Sequence, residues 1–170
     1  MATLPVRPAG AITPYLWFDG GAEPAAEFYC SLFADSGIDN VSRYTETGRE
    51  IHGREPGSAM TVNFHINGQP FVGLNGGPQY PFTEAVSFMV TCETPAELDA
   101  LWDRLTEGGD PAAQQCGWCK DRFGVSWQLV PAAMWALLGD PDPGRSSRAM
   151  AAMLQMKKLD VGELERAAAG

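Results

Sequence analysis

Hydrophobic and polar positions along this chain alternate in short runs, give way to helical spacing, and then repeat that order. Ile12 to Phe18 reads as a strand, with Leu16 and Phe18 on one side and Tyr15 and Trp17 on the other. After the Asp19-Gly20-Gly21 break, Pro24 suits a first helical turn, where its missing N–H is no loss. Ala25, Phe28, Tyr29, Leu32 and Phe33 make one apolar helix face, ended by Asp35-Ser36-Gly37. Val41 to Thr45 reads as a short strand and Glu46 to Pro56 as a polar loop. Met60 to Ile66 alternates strictly, Val62, Phe64 and Ile66 against Thr61, Asn63 and His65. Asn67-Gly68 is a hairpin signal, and Pro70 to Asn75 returns as the next strand.

Gly76-Gly77-Pro78 and Pro81 form a linker, after which the pattern restarts. Ala85 to Cys92 reads as a strand, with Val86, Phe88 and Val90 facing one way and Ser87 and Met89 the other. Thr94-Pro95-Ala96-Glu97 is a capping box with proline at the first helical position. Leu98, Leu101, Trp102 and Leu105 give that helix its apolar face, and Gly108-Gly109 stops it. A weak stretch from Asp110 to Gln115 precedes two candidate strands, around Trp118 and at Val125 to Val130. Beyond Pro131 the pattern is helical, over Pro131 to Leu138 and Ser146 to Met156, with Met150, Met153 and Leu154 as an apolar stripe suited to packing.

The order is β-α-β-β-β twice, an α+β architecture of paired modules with a C-terminal helical extension. Residues 1–11 read as a flexible tail, 12–75 as the first module, 84–131 as the second and 132–170 as the extension, together one domain. Each module has one helix for one face of its sheet, so the other face needs a different cover. Pairing two curled sheets would supply it and leave a cavity between them, within one chain or across a dimer.

Composition narrows the partners. Hydrophobic residues at 45% and charged residues at 19% describe an ordinary globular chain of 170 residues. The 21 acidic against 12 basic residues give a net charge of −9, which repels phosphate backbones and anionic lipid. Nucleic acid and membrane are therefore poor partners, no apolar run reaches membrane-span or signal-peptide length, and a cytoplasmic location is expected. Four cysteines do not make a disulfide scaffold in a chain this long.

Three stretches carry a resemblance: ITPYLWFDGGAEPAAEFY at Ile12 to Tyr29, FVGLNGGPQYPFTEAVSF at Phe71 to Phe88, and CGWCKDRFGVSWQLVP at Cys116 to Pro131. They resemble the PhnB-like branch of the vicinal-oxygen-chelate superfamily, which includes glyoxalases, bleomycin-resistance proteins and ring-cleaving dioxygenases. Proteins of that branch often carry the label 3-demethylubiquinone-9 3-methyltransferase, yet no glycine-rich strand-to-helix turn here suits a methyl donor's nucleotide. Metal-dependent members of the superfamily place four His, Gln or Glu ligands on inward strand faces. Carried over, those positions fall at Thr13 or Pro14, at Gly73, at Ala85 and at Gln128. Only Gln128 could bind a metal, so the resemblance implies neither a metal site nor a cofactor. Glu84 neighbours the third position, but on a strand a one-residue step reverses the face.

The inward faces then present Tyr15, Trp17, Asn63, Asn75, Ser87, Met89, Ser126 and Gln128, with Trp118 and Phe82 as neighbours. Aromatic walls with a few amides and hydroxyls suit a small, flat, partly apolar ligand; the same amides could instead satisfy one another or the backbone. Of the two histidines, His52 lies in the polar loop, and His65 shares a face with Asn63 and is a candidate general base. Cys116-Gly-Trp-Cys119 has dithiol spacing but leads into a strand, whereas redox dithiols need a helix N-terminus. The leading expectation is a homodimer that binds a small organic molecule without metal, to sequester or sense it. A metal-independent enzyme using His65 or Cys116 is the alternative. Retained metal-dependent lyase or isomerase chemistry, methyl transfer, and a structural module whose tail docks another protein rank lower.

Overall fold

The computed structural model describes residues 12–170; the tail expected over residues 1–11 lies outside the described residues. The chain divides into two compact units, one ending at Tyr80 and the other running from Pro81 to Gly170. Together they form an α+β protein.

In the first unit, β1 (Tyr15–Phe18), α1 (Ala22–Leu32), β2 (Gly37–Arg43), α2 (Arg49–His52), β3 (Ala59–Ile66) and β4 (Gln69–Asn75) follow in order. The sheet order is β1-β4-β3-β2, with β1 parallel to β4 and the other pairs antiparallel. α1 lays Ala22, Ala25, Ala26, Phe28 and Tyr29 on one sheet face. Beneath it Leu16, Phe18, Val62, Phe64 and Phe71 are buried. Tyr29 and Phe64 stack at 6.3 Å, and each such buried ring contributes roughly 2 kcal/mol. Asn67 (φ 48°) and Gly68 (φ 73°) turn the β3–β4 hairpin in the left-handed conformation their types tolerate.

Two boundaries differ from the sequence reading. β2 starts four residues earlier than Val41, because register shifts at Ile38/Asn40 and Ser42/Arg43 break the alternation that periodicity relies on. The polar loop contains the one-turn helix α2. His52 at its end is not simply solvated: its ring sits 4.5 Å from that of Tyr44, and its Nδ1 accepts from the Arg54 N–H at 3.0 Å.

The second unit contains β5 (Phe88–Cys92), α3 (Pro95–Thr106), a 3₁₀ turn at Pro111–Ala113, β6 (Trp118–Lys120), β7 (Ser126–Pro131), α4 (Met134–Leu138), α5 (Pro143–Met153) and α6 (Val161–Ala169). Its sheet, ordered β5-β7-β6, has three strands, β5 parallel to β7 and β6 antiparallel to it. The weak stretch after α3, where the repeated β-α-β-β-β order calls for a strand, is a 3₁₀ turn, capped by the Asp110 side chain accepting from the Ala112 N–H, followed by a single Gln115–Trp118 bridge. Thr94 and Glu97 close the expected capping box.

α3 covers one sheet face with Leu98, Trp102 and Leu105, over the side bearing Cys119, Trp127 and Leu129. On the opposite side, Val130 joins Met134, Met156, Leu159 and Leu164 in a second core cluster that ties in the C-terminal helices. α5 begins at Pro143, earlier than Ser146, because Asp142 caps it by accepting from the Gly144 N–H at 2.8 Å. The stripe is split: Met153 packs on the cluster, whereas Met150 and Leu154 are 41% and 50% exposed and Ala149 is the buried residue of the helix. α6 starts at the Asp160 cap and is fastened at its other end by Arg148, which donates to the Ala167 and Ala168 carbonyls.

Gly109 gives a direct check of the second unit's packing. A Cβ there would lie 2.0 Å from the Lys120 carbonyl oxygen, whereas one at Gly20 would meet nothing within 4 Å. In urea denaturation Gly109→Ala is expected to lose about 2–3 kcal/mol, while Gly20→Ala changes stability by less than about 0.5 kcal/mol.

Candidate functional site

The sheet of the first unit has an open side opposite α1. Register places Tyr15 and Trp17 of β1, Val72 and Leu74 of β4, and Thr61 and Asn63 of β3 there. Tyr15 is 58% exposed, as expected of an open face. Trp17 is fixed: its indole N–H donates to the Gly77 carbonyl at 2.8 Å, and its ring meets Tyr80 edge-on at 5.0 Å. A Cβ on Gly76 would come within 2.3 Å of that indole, so the glycine makes room for it.

Asn75 is a correction. It pairs with Phe18 and lies on the α1 side of the sheet rather than the open side. Its Oδ1 accepts from the Ala22 N–H at 2.9 Å and its Nδ2 donates to the Ala59 carbonyl at 3.0 Å. The amide therefore satisfies the start of α1 and the start of β3 at once, which is structural work. His65 stands at the β2–β3 end, 31% exposed, with Nδ1 3.0 Å from Asp39 Oδ1.

In the second unit the face away from α3 carries Met89, Gln128 and Trp118 in one cross-strand row, and Ser126 beside Lys120 in the next. Ser87 precedes β5 rather than lying within it, and its hydroxyl accepts from Gln128 Nε2 at 2.8 Å. Ser126 is buried, and its hydroxyl has no hydrogen-bond partner among the described residues. Phe82 lies outside the strands, against Gly124.

A cleft of 480 Å³ opens in this unit, lined by Glu84, Ala112, Ala113, Gln115, Cys116 and Trp118. Its wall is a two-residue hairpin. Gln115 and Trp118 exchange backbone hydrogen bonds of 3.2 and 2.8 Å, and Cys116 (φ 52°) and Gly117 (φ 83°) form the corner. The Cys116 and Gly117 N–H groups donate to the Met156 and Lys157 carbonyls at 2.8 and 2.7 Å, and the Leu129 N–H donates to the Gly117 carbonyl at 2.8 Å. These bonds hold the corner on three sides.

Glu84 forms an ion pair with Lys120, whose hydrogen bond holds the Glu84 carboxyl below the usual carboxylate range. Strand parity does not set the direction of Glu84. Glu84 and Ala85 lie in a turn before β5 begins at Phe88, so strand alternation does not apply to them.

The hairpin also separates the two thiols of the C-x-x-C. Cys116 sits at the corner, while Cys119 faces α3, 1% exposed, and burial with nearby Asp121 pushes its thiol up to about 12. A thiol held protonated in this way is a poor nucleophile. Asp121 closes the β6–β7 turn, accepting from the Phe123 and Val125 N–H groups and from the Trp127 indole. Sequence reading passed over it because a lone aspartate before Phe-Gly carries no periodic signal.

The positions carried over for metal ligands are poor in donors. Thr13 and Pro14 precede β1, Gly73 lies under α1 against Ala22 and Phe18, and Ala85 is in the turn. The neighbouring open-face positions, Val72 and Leu74, have no side-chain donor atom, and Gln128, whose Nε2 donates to Ser87, would contribute a single amide oxygen. Among the described residues no group of three or more His, Cys, Asp or Glu is arranged to hold a metal ion. This donor set does not fit a divalent metal.

The fold is of the vicinal-oxygen-chelate class. The sequence profile described as 3-demethylubiquinone-9 3-methyltransferase matches residues 10–130. The chain is 38% identical to the PhnB protein from Bacillus cereus, over 72% of this chain and 100% of that one, with a TM-score of 0.62. It therefore belongs to this PhnB-like family. Protein PA1353 from Pseudomonas aeruginosa shares the fold at 21% identity and TM-score 0.53, covering 72% of this chain and 98% of that one. So does the fosfomycin-resistance protein FosX from Listeria monocytogenes, solved with Mn(II) and sulfate, at 12% identity and TM-score 0.50, covering 78% and 98%. No curated protein matches the chain in sequence.

Two outcomes test the assignments above. Asn75→Ala is expected to lower unfolding stability by about 2 kcal/mol in urea denaturation, because two buried backbone groups lose their partner. Iodoacetamide at pH 8 should leave Cys119 and the buried Cys92 unmodified in the folded protein and modify both after denaturation, as read by peptide mass spectrometry.

Proposed function

We propose that this protein binds a small organic molecule, without a metal ion, in the cleft of its second unit. The observation that carries the reading is the 480 Å³ cleft, where Trp118, Cys116, Gln115 and Glu84 converge. That volume lies within the roughly 300–1,000 Å³ of small-molecule sites, and one aromatic wall with few polar groups is their usual chemistry. Sequestration or sensing of the molecule is the accompanying role. The donor-poor strand positions support a metal-free mode, in contrast to FosX, whose structure holds Mn(II). Methyl transfer, as the family's description words it, has no support at the first strand-to-helix junction, where the Ala22 N–H is taken by Asn75.

Cys116 favours a second reading, a metal-independent enzyme with a nucleophilic thiol, since it lines the same cleft. His65 belongs to the first unit and does not line that cleft, so the thiol has no histidine base among the lining residues. Binding therefore stands first. A homodimer is part of the proposal, supported by Met150, Leu154 and the 53% exposed Trp135 on the C-terminal helices. No helix among the described residues is long and apolar enough to cross a membrane.

A fragment library screened on ¹⁵N-labelled protein is expected to give saturable shifts clustered at Glu84, Gln115, Cys116 and Trp118. Trp118→Ala should weaken such ligands about tenfold or more, as loss of an aromatic wall does. Saturable shifts confined to Tyr15 and Asn63, or none at all, would sink the assignment to this cleft.

A further inference from the structure

Taking the cleft of the second unit as the binding site, we infer that its preferred ligand is an organic cation on an aromatic or other flat frame. The flat part lies on Trp118, and the protonated amine faces Glu84. The inference rests on the binding reading above and narrows its chemistry.

Charge sign is the first argument. Of the six lining residues, Glu84 is the one that carries a formal charge at neutral pH, and no Lys, Arg or His is among them. Lys120 bonds to this carboxylate, but the two partners are not equally presented: 56% of the Glu84 side chain is exposed against 19% for Lys120. The ion pair holds the carboxylate ionised and in place, and the carboxylate, not the lysine, lines the cleft. A net charge of −9 adds a long-range attraction for cations and a repulsion for anions.

Shape and polarity are the second argument. Trp118 is half-buried and offers the surface that best holds a flat cation, since its ring face is negative. Ala112 and Ala113, from the 3₁₀ turn, add only methyl groups to the lining, which leaves room for a planar frame. Gln115 gives an amide that can both donate and accept, so it adds no charge preference. The corner that carries Cys116 is fixed by backbone bonds to the 156–157 segment, so the wall is preorganised rather than formed on binding.

Three indoles of matched size separate charge from shape: tryptamine, 3-ethylindole and indole-3-propionate, titrated into the ¹⁵N-labelled full chain and followed at Gln115 and Trp118. Tryptamine should bind tightest and indole-3-propionate weakest, about tenfold apart at low salt, with the gap shrinking as salt rises. Glu84→Gln should erase the gap, and Lys120→Met, which leaves the carboxylate without its counter-ion, should widen it. Trp118→Ala should weaken all three. Equal saturable affinities for the three indoles overturn the cation assignment and leave the cleft as an apolar site, as does tightest binding of indole-3-propionate. No saturable shift with any of them overturns the cation assignment, and if the fragment screen is also empty the binding reading falls with it.

Discussion

A β-sheet has two faces, and each unit of this protein sets one long helix against its sheet. That constraint organises the chain. In the first unit α1 takes the side of Leu16, Phe18, Val62 and Phe64, which consigns Tyr15, Trp17, Thr61 and Asn63 to the open side. In the second unit α3 takes the side of Cys119, Trp127 and Leu129, leaving Trp118, Gln128 and Met89 opposite. Apolar burial drives the choice at roughly 2 kcal/mol per large side chain, and the polar pattern follows from it. The C-terminal helices modify the second case by taking Val130 on the otherwise open side into their own cluster with Met156, Leu159 and Leu164.

Polar side chains fasten the ends of what the apolar faces assemble. Asn75 bridges the first N–H of α1 and the first carbonyl of β3, and the Tyr44 hydroxyl donates to the Asn75 carbonyl at 2.8 Å. Asp121 does the equivalent for the β6–β7 turn, where a buried carboxylate accepts three N–H groups. Such groups are costly to leave unpaired in a low-dielectric interior, and here the chain supplies their partners locally. An amide or carboxylate at a sheet end is for that reason ambiguous in sequence: ligand contact and structural closure call for the same residue types.

Much of the fold was legible because local signals agreed. Strict alternation over β3, Asn67-Gly68 at the hairpin and the Thr94–Glu97 box each have one reading, and each was realised. The misplacements have a common cause. Phe71-Val-Gly-Leu-Asn is apolar at both parities, so periodicity cannot choose its face; the close fit of Gly73 against Ala22 and Phe18 does, and that carries Asn75 to the helix side. β2 is a bulged edge strand whose alternation is broken, and Ser87 and Ala85 fall outside β5 because the chain turns at Glu84. Of the site, Trp118 and Cys116 were legible as neighbours on one motif. Glu84, Gln115 and the two alanines were not, since they reach the cleft through turns rather than strands.

The cleft arises where the second unit departs from the first. After α1, the chain pairs along β3 from Gly37 to Arg43, with two register shifts. After α3, the corresponding segment makes one bridge, Gln115 to Trp118, and β6 is left as a three-residue edge. A short edge protects against strand addition, and beside it the Cys116 and Gly117 N–H groups are met by the Met156 and Lys157 carbonyls. The short edge leaves a fixed corner with Trp118 and Cys116 on it, and the alanines of the 3₁₀ turn and Glu84, paired with Lys120, complete the lining. A packed fourth strand would have filled that volume with its own side chains; a three-residue stub leaves it open, and an open volume with a rigid wall is the minimum that ligand binding requires.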